Sequence, residues 1–261
     1  MYLINRISKA IIKRLIYLKL YVIWWIGGAG RNIQKLFYNR HAGGDCVIIC
    51  NGPSIANVDF KTIQHLPTFA LNRAYLAFDE WGFQPTYYVC VNELVLSQFS
   101  EDIDSLKMPK FINFSKKQLF TSYNTYPILL RFRDKYCKSF CEPVSVAATV
   151  TFVAIQTAML MGFRRIFIIG LDHSFVGDGK PNQTLISQEE DQNHFLKNYF
   201  AGGVLWEYPD LKRNESGYKL LRAVAEQREV EIIDCTDGGK CPVFQKGRIE
   251  DYLGSGKDGR T

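Results

Sequence analysis

Cys46-Val-Ile-Ile-Cys-Asn-Gly-Pro-Ser-Ile55 is the stretch whose reading decides the fold. Val47 to Cys50 is an apolar, β-branched run, too short for a helix and unbroken like a strand buried on both faces. It stops at Asn51-Gly52-Pro53-Ser54. Gly permits positive φ and Pro fixes φ without offering an N–H, so these residues spell a tight turn. A first strand running into a glycine-containing turn is where open α/β sheets bind nucleotides. Backbone N–H groups there approach phosphate or ribose with no side chain in the way. The stretch is neither G-x-G-x-x-G nor G-x-x-x-x-G-K-[ST], so dinucleotide and P-loop logic do not carry over.

Two further apolar runs end the same way, Thr68-Phe-Ala-Leu-Asn72 and Pro85-Thr-Tyr-Tyr-Val-Cys-Val-Asn92. Asn is common at turns. Three strands that each close on Asn (51, 72, 92) nevertheless point to one ligand-binding edge, because the carboxyl ends of parallel strands line up there. An Asn side chain at that edge both donates to and accepts from a base or ribose. Lys110-Phe-Ile-Asn-Phe114 reads as a further strand. Residues 115–143 read as an irregular insertion forming part of a lid, its Arg131 and Arg133 being either anion ligands or solvated surface residues.

Ser145 to Met161 has helical spacing, with Ser145, Thr149 and Thr151 at its start and Gly162 as its stop. Free N–H groups and hydroxyls at a helix start favour an anion. Arg164 to Asp172 follows as a buried strand, which makes the helix a βαβ crossover and the sheet parallel. Asn214 to Gln227 is a last amphipathic helix and Glu231 to Thr236 a last strand. The expected fold is α/β: an open, mostly parallel Rossmann-like sheet with helices on both faces, preceded by an N-terminal amphipathic helix. The expected division is a basic leader and linker over 1–44, an α/β nucleotide-binding transferase domain over 45–250, and a flexible tail over 251–261.

At 261 residues and 47% apolar, the chain is long enough for one sizeable core. Its seven cysteines are an odd number. Cys46, Cys50 and Cys90 sit in apolar runs as small hydrophobes, and Cys137-x-x-x-Cys141 lacks the second pair a zinc site needs. A reduced protein on the cytoplasmic side is expected, with no metal site. The net charge of +6 is uneven: residues 1–40 hold eight Lys/Arg and no acid, and the remainder carries 24 basic and 26 acidic residues. Charge therefore excludes the body as a nucleic-acid binder.

The leader has helical periodicity. Ile4, Ile7, Ile11, Leu15, Leu18, Val22 and Trp25 share one face, opposite Arg6, Lys9 and Lys13. Lys13, Arg14 and Lys19 interrupt the apolar run, so it is too short to span a bilayer. A basic amphipathic helix with Trp at its edge suits the anionic inner face of a membrane, which makes residues 1–26 a candidate for peripheral contact there. Packing on its own domain or on a partner subunit is the alternative reading, and a signal anchor is another.

From Asp172 the chain turns polar: Asp172-His173-Ser174-Phe175, a Gly-containing loop, then Asp191-Gln-Asn-His194 through Tyr199-Phe200, Gly202-Gly203 and Trp206-Glu-Tyr208-Pro209. A His among Asn, Tyr and Asp in a polar loop is an acid/base candidate. His194 is the first choice, and His173 is as readily a hydrogen-bonding residue.

The elements C-N-G-P-S at 50–54, G-F-R-R-I-F-I-I-G-L-D-H-S-F at 162–175, D-Q-N-H-F…Y-F at 191–200 and G-G…W-x-x-P at 202–209 resemble the MptE-like domain family. That family is named for 6-hydroxymethylpterin diphosphokinases and includes bacterial members in surface-polysaccharide loci. A more distant resemblance is to bacterial CMP-sialic-acid transferases of the lipooligosaccharide type. By position it implies that Asn51, Gly52, Ser54, Asn72 and Asn92 line the nucleotide, with Thr149 and Thr151 near ribose or phosphate. It also implies that His194 is the base and that Tyr199 or Tyr208 serves phosphate; the shared polar segment after Gly170 adds Asp172, behind His194 or facing a metal, and His173, toward phosphate or acceptor.

The two resemblances imply different chemistry. A diphosphokinase needs ATP and Mg²⁺ held by carboxylates, for which Asp172, Asp178 and Asp191 are available. A transferase using a CMP-type sugar needs only a base and donors for the departing phosphate. A membrane-seeking leader suits a glycan or lipid-linked acceptor better than a soluble pterin, so glycosyl transfer in cell-surface polysaccharide or lipooligosaccharide synthesis is preferred. A nucleotide-binding or scaffold protein without turnover is the third class. No cofactor is certain, Mg²⁺ entering only with the diphosphokinase.

Overall fold

In the computed structural model of the chain, residues 2–253 are described apart from Phe132, Gln188, Glu189 and Ala201, and the side chains of residues 1–10 are not. Eight strands form the main sheet: β1 Asp45–Ile49, β2 Thr68–Leu71, β3 Tyr87–Cys90, β4 Lys110–Asn113, β5 Thr125–Ile128, β6 Arg165–Ile169, β7 Glu231–Asp234 and β8 Gln245–Lys246. Their order is β8-β7-β6-β1-β2-β3-β4-β5, and every pairing is parallel. This is the open parallel α/β sheet expected.

The central strands are buried on both faces, which is why they read as unbroken apolar runs rather than alternating ones. Alternate residues serve two cores. Cys46, Ile48, Phe69, Leu71, Val89 and Phe111 pack beneath helices. Val47, Ile49, Ala70, Tyr88, Ile112 and Phe167 pack beneath the short turns and helices between 53 and 105. The register of β1 on β6 pairs Asp45 with Arg165. Arg165 donates to both Asp45 carboxylate oxygens, at 2.8 and 2.5 Å, and so staples the starts of the two strands.

The helix expected from Ser145 begins five residues later, as α3 Val150–Leu160, the labels α1 and α2 belonging to the two helices before β1. Ala147 and Ala148 have φ of 44° and 62°, so the chain cannot be helical before Thr149, and Ser145 instead lies in a short strand pairing with Leu130–Arg131. Thr149 caps the helix, its hydroxyl accepting from the Thr151 N–H. Helix α3 is buried on every side between the sheet and α4 Leu211–Gln227. Gly217 of α4 permits that contact, since a Cβ there would lie 2.4 Å from the Ala147 side chain.

Within the leader and linker expected over 1–44, residues 29–37 form a helix of the domain. Helices α1 Tyr2–Ile26 and α2 Ala29–Phe37 meet at Gly28, whose φ is +69°. Ile33 and Phe37 belong to the main core, and the Phe37 ring sits edge-on to Tyr87, Phe111 and Tyr126. Trp24 of α1 is buried with Phe114 and Leu129. The opposite face of α1 is the expected stripe: Ile11, Leu15, Leu18, Val22 and Trp25 are 44 to 60% exposed. Ile4, Ile7, Arg6 and Lys9 of that reading lie outside the described side chains, and residues 254–261 of the expected tail outside the described residues. No described helix is long and apolar enough to cross a membrane.

The 115–143 segment, expected as an irregular insertion, supplies β5 and then packs on the helical layer. The Phe140 N–H donates to Gln34, the Cys137 N–H to Gln156, and Arg213 pairs with Asp134. Arg131 is spent on the Pro143 carbonyl and on Glu142, while Arg133 is exposed.

Truncating Phe37→Ala should therefore lower stability by about 3–5 kcal/mol in denaturant titration. Removing residues 1–44 should abolish cooperative unfolding. Wild-type stability in both variants would mean that the domain begins at β1.

Candidate functional site

After β1 the sheet grows outward through β2 to β5. The chain then returns through α3 and lays β6 on the other side of β1. The loops leaving β1 and β6 diverge, opening a crevice at the carboxyl edge, where open α/β sheets hold ligands. Cys50-Asn51-Gly52-Pro53-Ser54 enters it from β1 and Gly170-Leu171-Asp172-His173 from β6.

The two loops are bonded directly. The Gly52 N–H donates to the Gly170 carbonyl at 3.0 Å. Asp172 accepts from the Ser54 N–H at 3.2 Å and from its hydroxyl at 2.7 Å. A Cβ on Gly52 would fall 1.9 Å from an Asp172 oxygen and 2.7 Å from the Gly170 carbonyl, so only glycine fits. Asp172 thus positions the β1 turn.

A second layer is built around Tyr199. Its hydroxyl, fully buried, accepts from the Asn51 side-chain amide at 2.9 Å and from the Arg73 N–H at 3.1 Å. Burial drives its pKa upward, so it stays protonated and neutral. His194 stacks on this ring, with centroids 4.0 Å apart and planes 4° apart, and the Phe195 N–H donates to the Asn51 carbonyl. The His194 Nδ1 lies 2.8 Å from Asp191 Oδ2. Burial raises the Asp191 pKa, but hydrogen bonds from His194 and from the Asn193 and His194 N–H groups outweigh it and hold the carboxyl below its usual range. With Nδ1–H donated to Asp191, Nε2 is left as the proton acceptor.

The remaining expected residues divide between the crevice and the scaffold. Asn51 also donates to the Leu71 carbonyl. Asn72, at φ 46°, ends β2, and its backbone carbonyl accepts from the Tyr88 hydroxyl. The Asn92 carbonyl oxygen caps the helix Glu93–Gln98, accepting from the Leu94 and Val95 N–H groups, while its amide turns to Glu207 at 3.4 Å. Asn113 ends β4 in the same manner, a fourth member of the series; its side chain accepts from the Ser115 N–H and donates to the Val91 carbonyl. Part of the Asn repetition is thus strand-end capping. Thr151 touches the Cys50 sulfur at 3.5 Å, and burial pushes the Cys50 thiol up to about 12, which removes it as a nucleophile.

His173 pairs with Glu215 of α4 at 3.1 Å and has a nearly buried side chain, so it braces α4 rather than sharing the His194 cluster. The Tyr208 hydroxyl donates to the Gly177 carbonyl at 2.7 Å and supports the loop. Tyr199 and Tyr208, expected at phosphate, both have committed hydroxyls. Asp172 serves Ser54, Asp191 serves His194, and Asp178 is exposed. Among the described residues no three His, Cys, Asp or Glu side chains are grouped to hold a metal ion.

Sequence reasoning missed Arg73, the residue after the strand-ending Asn72. It is 7% exposed, its guanidinium lies 3.9 Å from the Phe99 ring centroid, and Nε and Nη1 have no hydrogen-bond partner among the described residues. The signal lay in a basic side chain at an expected carboxyl edge. Cavities of about 490 Å³, lined by Ser54, Gly170, Thr236 and Gly238, and about 350 Å³, lined by Phe175, Asp191, His194 and Trp206, adjoin the two loops. A further cavity of about 570 Å³ lies outside the crevice beside Tyr75 and Lys107.

A family model described as 6-hydroxymethylpterin diphosphokinase MptE-like matches residues 28–178, more than half of the chain. Among solved structures, the MAf glycosyltransferase from Magnetospirillum magneticum AMB-1 is similar in fold, with a TM-score of 0.50 and 14% identity over 87% of this chain. The chain spans 38% of that protein's length. No curated protein sequence matches.

Gly52→Ala should keep the far-UV circular dichroism of the wild type while lowering its thermal midpoint, because the added methyl displaces the Asp172 carboxylate. The Asp191–His194 pair gives a pH signature. A carboxyl held below its usual range contributes stability that is present above about pH 4 and is lost as pH falls through the folded-state value. The stability gap between wild type and Asp191→Asn should therefore be present at pH 7 and close in acid. A gap that stays open in strong acid, where the carboxyl is protonated in both folded and unfolded chains, would contradict the pairing.

Proposed function

The chain belongs to the MptE-like family, and on that premise we propose that it is a nucleotide-dependent transferase, one that moves a glycosyl group from a CMP-type sugar to a cell-surface glycan or lipid-linked acceptor. The observation that carries this reading is the Asp191–His194 pair stacked on Tyr199, whose hydroxyl is bonded to Asn51 of the glycine turn. A base is thereby fixed beside a nucleotide crevice. The fold shared with a glycosyltransferase supports the same reading.

In this mechanism His194 Nε2 takes the proton of the acceptor hydroxyl, and the Asp191 carboxylate holds the imidazole in orientation and stabilises the imidazolium that forms. The acceptor oxygen forms a bond to the sugar carbon as that carbon's bond to the phosphate oxygen breaks, and the nucleotide leaves carrying the negative charge. The Gly52 and Ser54 N–H groups are held by Gly170 and Asp172, so the start of α3, near Thr149 and Thr151, supplies the donors for nucleotide and phosphate.

Pyrophosphoryl transfer from ATP is the second reading, favoured by the description of the matching family. Its candidate carboxylates are Asp172, held by Ser54, Asp191, held by His194, and the exposed Asp178.

The exposed face of α1 supports a membrane-bound acceptor. Ile11, Leu15, Leu18, Val22 and Trp25 would enter the interface at the cytoplasmic side of the inner membrane, with exposed Lys13, Arg14 and Lys19 beside anionic headgroups. Each basic residue contributes about 1 kcal/mol, reduced by salt, and the apolar burial adds a part that salt does not remove.

A thermal-shift panel of CMP, CDP, UDP and ATP, with and without Mg²⁺, tests the nucleotide: stabilisation by CMP without metal is expected, and selective stabilisation by Mg²⁺-ATP would favour the second reading. His194→Ala should lower turnover about 10²- to 10⁴-fold with nucleotide affinity unchanged. The same loss in His173→Ala instead would move the base to the wrong side of the crevice for this account. Anionic vesicles should co-sediment the wild type and not Leu15→Glu/Leu18→Glu, whose side chains are exposed and not needed for folding. Equal pelleting of both would remove the membrane assignment.

A further inference from the structure

Arg73 is a buried cation that no carboxylate among the described residues contacts directly, Asp102 reaching it only through the Tyr75 hydroxyl, 3.3 Å from Asp102 Oδ2. Its guanidinium stands over Phe99 and 5.8 Å from the Tyr199 ring centroid, and the Tyr75 hydroxyl lies against it. No carboxylate among the described residues comes within 4 Å of it. Tyr199 is neutral and cannot balance it. A desolvated guanidinium left unpaired is among the costliest features a fold can hold, and a ring face offsets only part of that.

The same neighbourhood holds unspent acceptors. The side-chain oxygens of Asn51 and Asn72 are buried and without partners among the described residues, like Nε and Nη1 of Arg73. Asn51 and the Arg73 backbone N–H meet on one Tyr199 hydroxyl, and Asn72 adjoins Arg73 in the chain, which puts the three residues side by side at the ends of β1 and β2. The complement of this cluster is a ligand that carries an oxyanion flanked by hydroxyl or amino donors. A nucleotide has both.

We propose that Arg73, with the Asn51 and Asn72 side-chain oxygens, forms an oxyanion subsite that takes a phosphate of the ligand. The guanidinium binds the phosphate through charge-assisted hydrogen bonds, and the two amide oxygens accept from the ribose or base beside it. The subsite rests on the nucleotide reading of the crevice, and it adds an anchor that the glycine turn does not supply.

The experiment has two arms. Thermal unfolding is followed in inorganic phosphate and in chloride at matched ionic strength. Phosphate should raise the wild-type midpoint and leave Arg73→Met unmoved, and in chloride Arg73→Met should unfold no lower than the wild type, having lost a buried charge that no described carboxylate contacts directly. Calorimetric titration then compares CMP with cytidine. Arg73→Gln should weaken CMP about 10- to 100-fold and leave cytidine unchanged. A folded Arg73→Met with the wild-type phosphate response would overturn the subsite, as would equal loss of CMP and cytidine in Arg73→Gln. Should Arg73→Met fail to fold, Arg73→Lys decides: a reduced phosphate response supports the subsite and an unchanged one overturns it. Wild-type protein that binds neither CMP nor cytidine but is stabilised by phosphate through Arg73 would retire the CMP reading and leave the subsite standing.

Discussion

The Asp172 carboxylate ties the loop leaving β6 to the loop leaving β1, through the Ser54 N–H and hydroxyl, in a space that only a glycine at 52 leaves open. The two strands are neighbours because the chain reverses its direction of growth at β1. Their loops would otherwise part with nothing between them. The clamp holds them at fixed separation, and the Asn51 side chain then reaches Tyr199, on whose ring His194 lies. Each member of the proposed site inherits its place from that first constraint.

Around the clamp, scaffold and site use the same residue types. Asn92 and Asn113 close their strands by capping the turns that follow, a stabilising role of about 1 kcal/mol each. Asn51 and Asn72 keep a buried side-chain oxygen unspent. His173 and His194 divide likewise: one braces α4 through Glu215, the other faces a cavity with an acid behind it. What a residue does here is decided by which of its atoms remain free after the fold has used the rest.

The parallel sheet was legible because strands covered on both faces must read as short unbroken apolar runs, as Val47–Cys50 and Ile166–Ile169 do. The start of α3 was not: Ser145 and Thr149 look alike as caps, and only the left-handed Ala147 and Ala148, held against Gly217 some seventy residues on, exclude the first. The leader-and-linker reading of 1–44 missed α2 because only Ile33 and Phe37 of its apolar side chains enter the main core, and nothing in the local sequence shows the aromatic cluster that receives them. In the candidate site, the glycine turn and His194 were readable from local chemistry. Arg73 was not, since an arginine after a strand gives no sign in sequence that no described carboxylate contacts it directly.

The central claim, that the ends of β1, β2 and β6 form one nucleotide crevice beside His194, is tested most directly by hydrogen–deuterium exchange with and without CMP. The account predicts slower exchange in the segments 50–55, 72–74, 170–173 and 191–200 together, with β8 and the helix Ser100–Ser105 unchanged. Protection confined to residues 75–84 and 102–108, around the cavity beside Tyr75 and Lys107, would place the ligand elsewhere and contradict it.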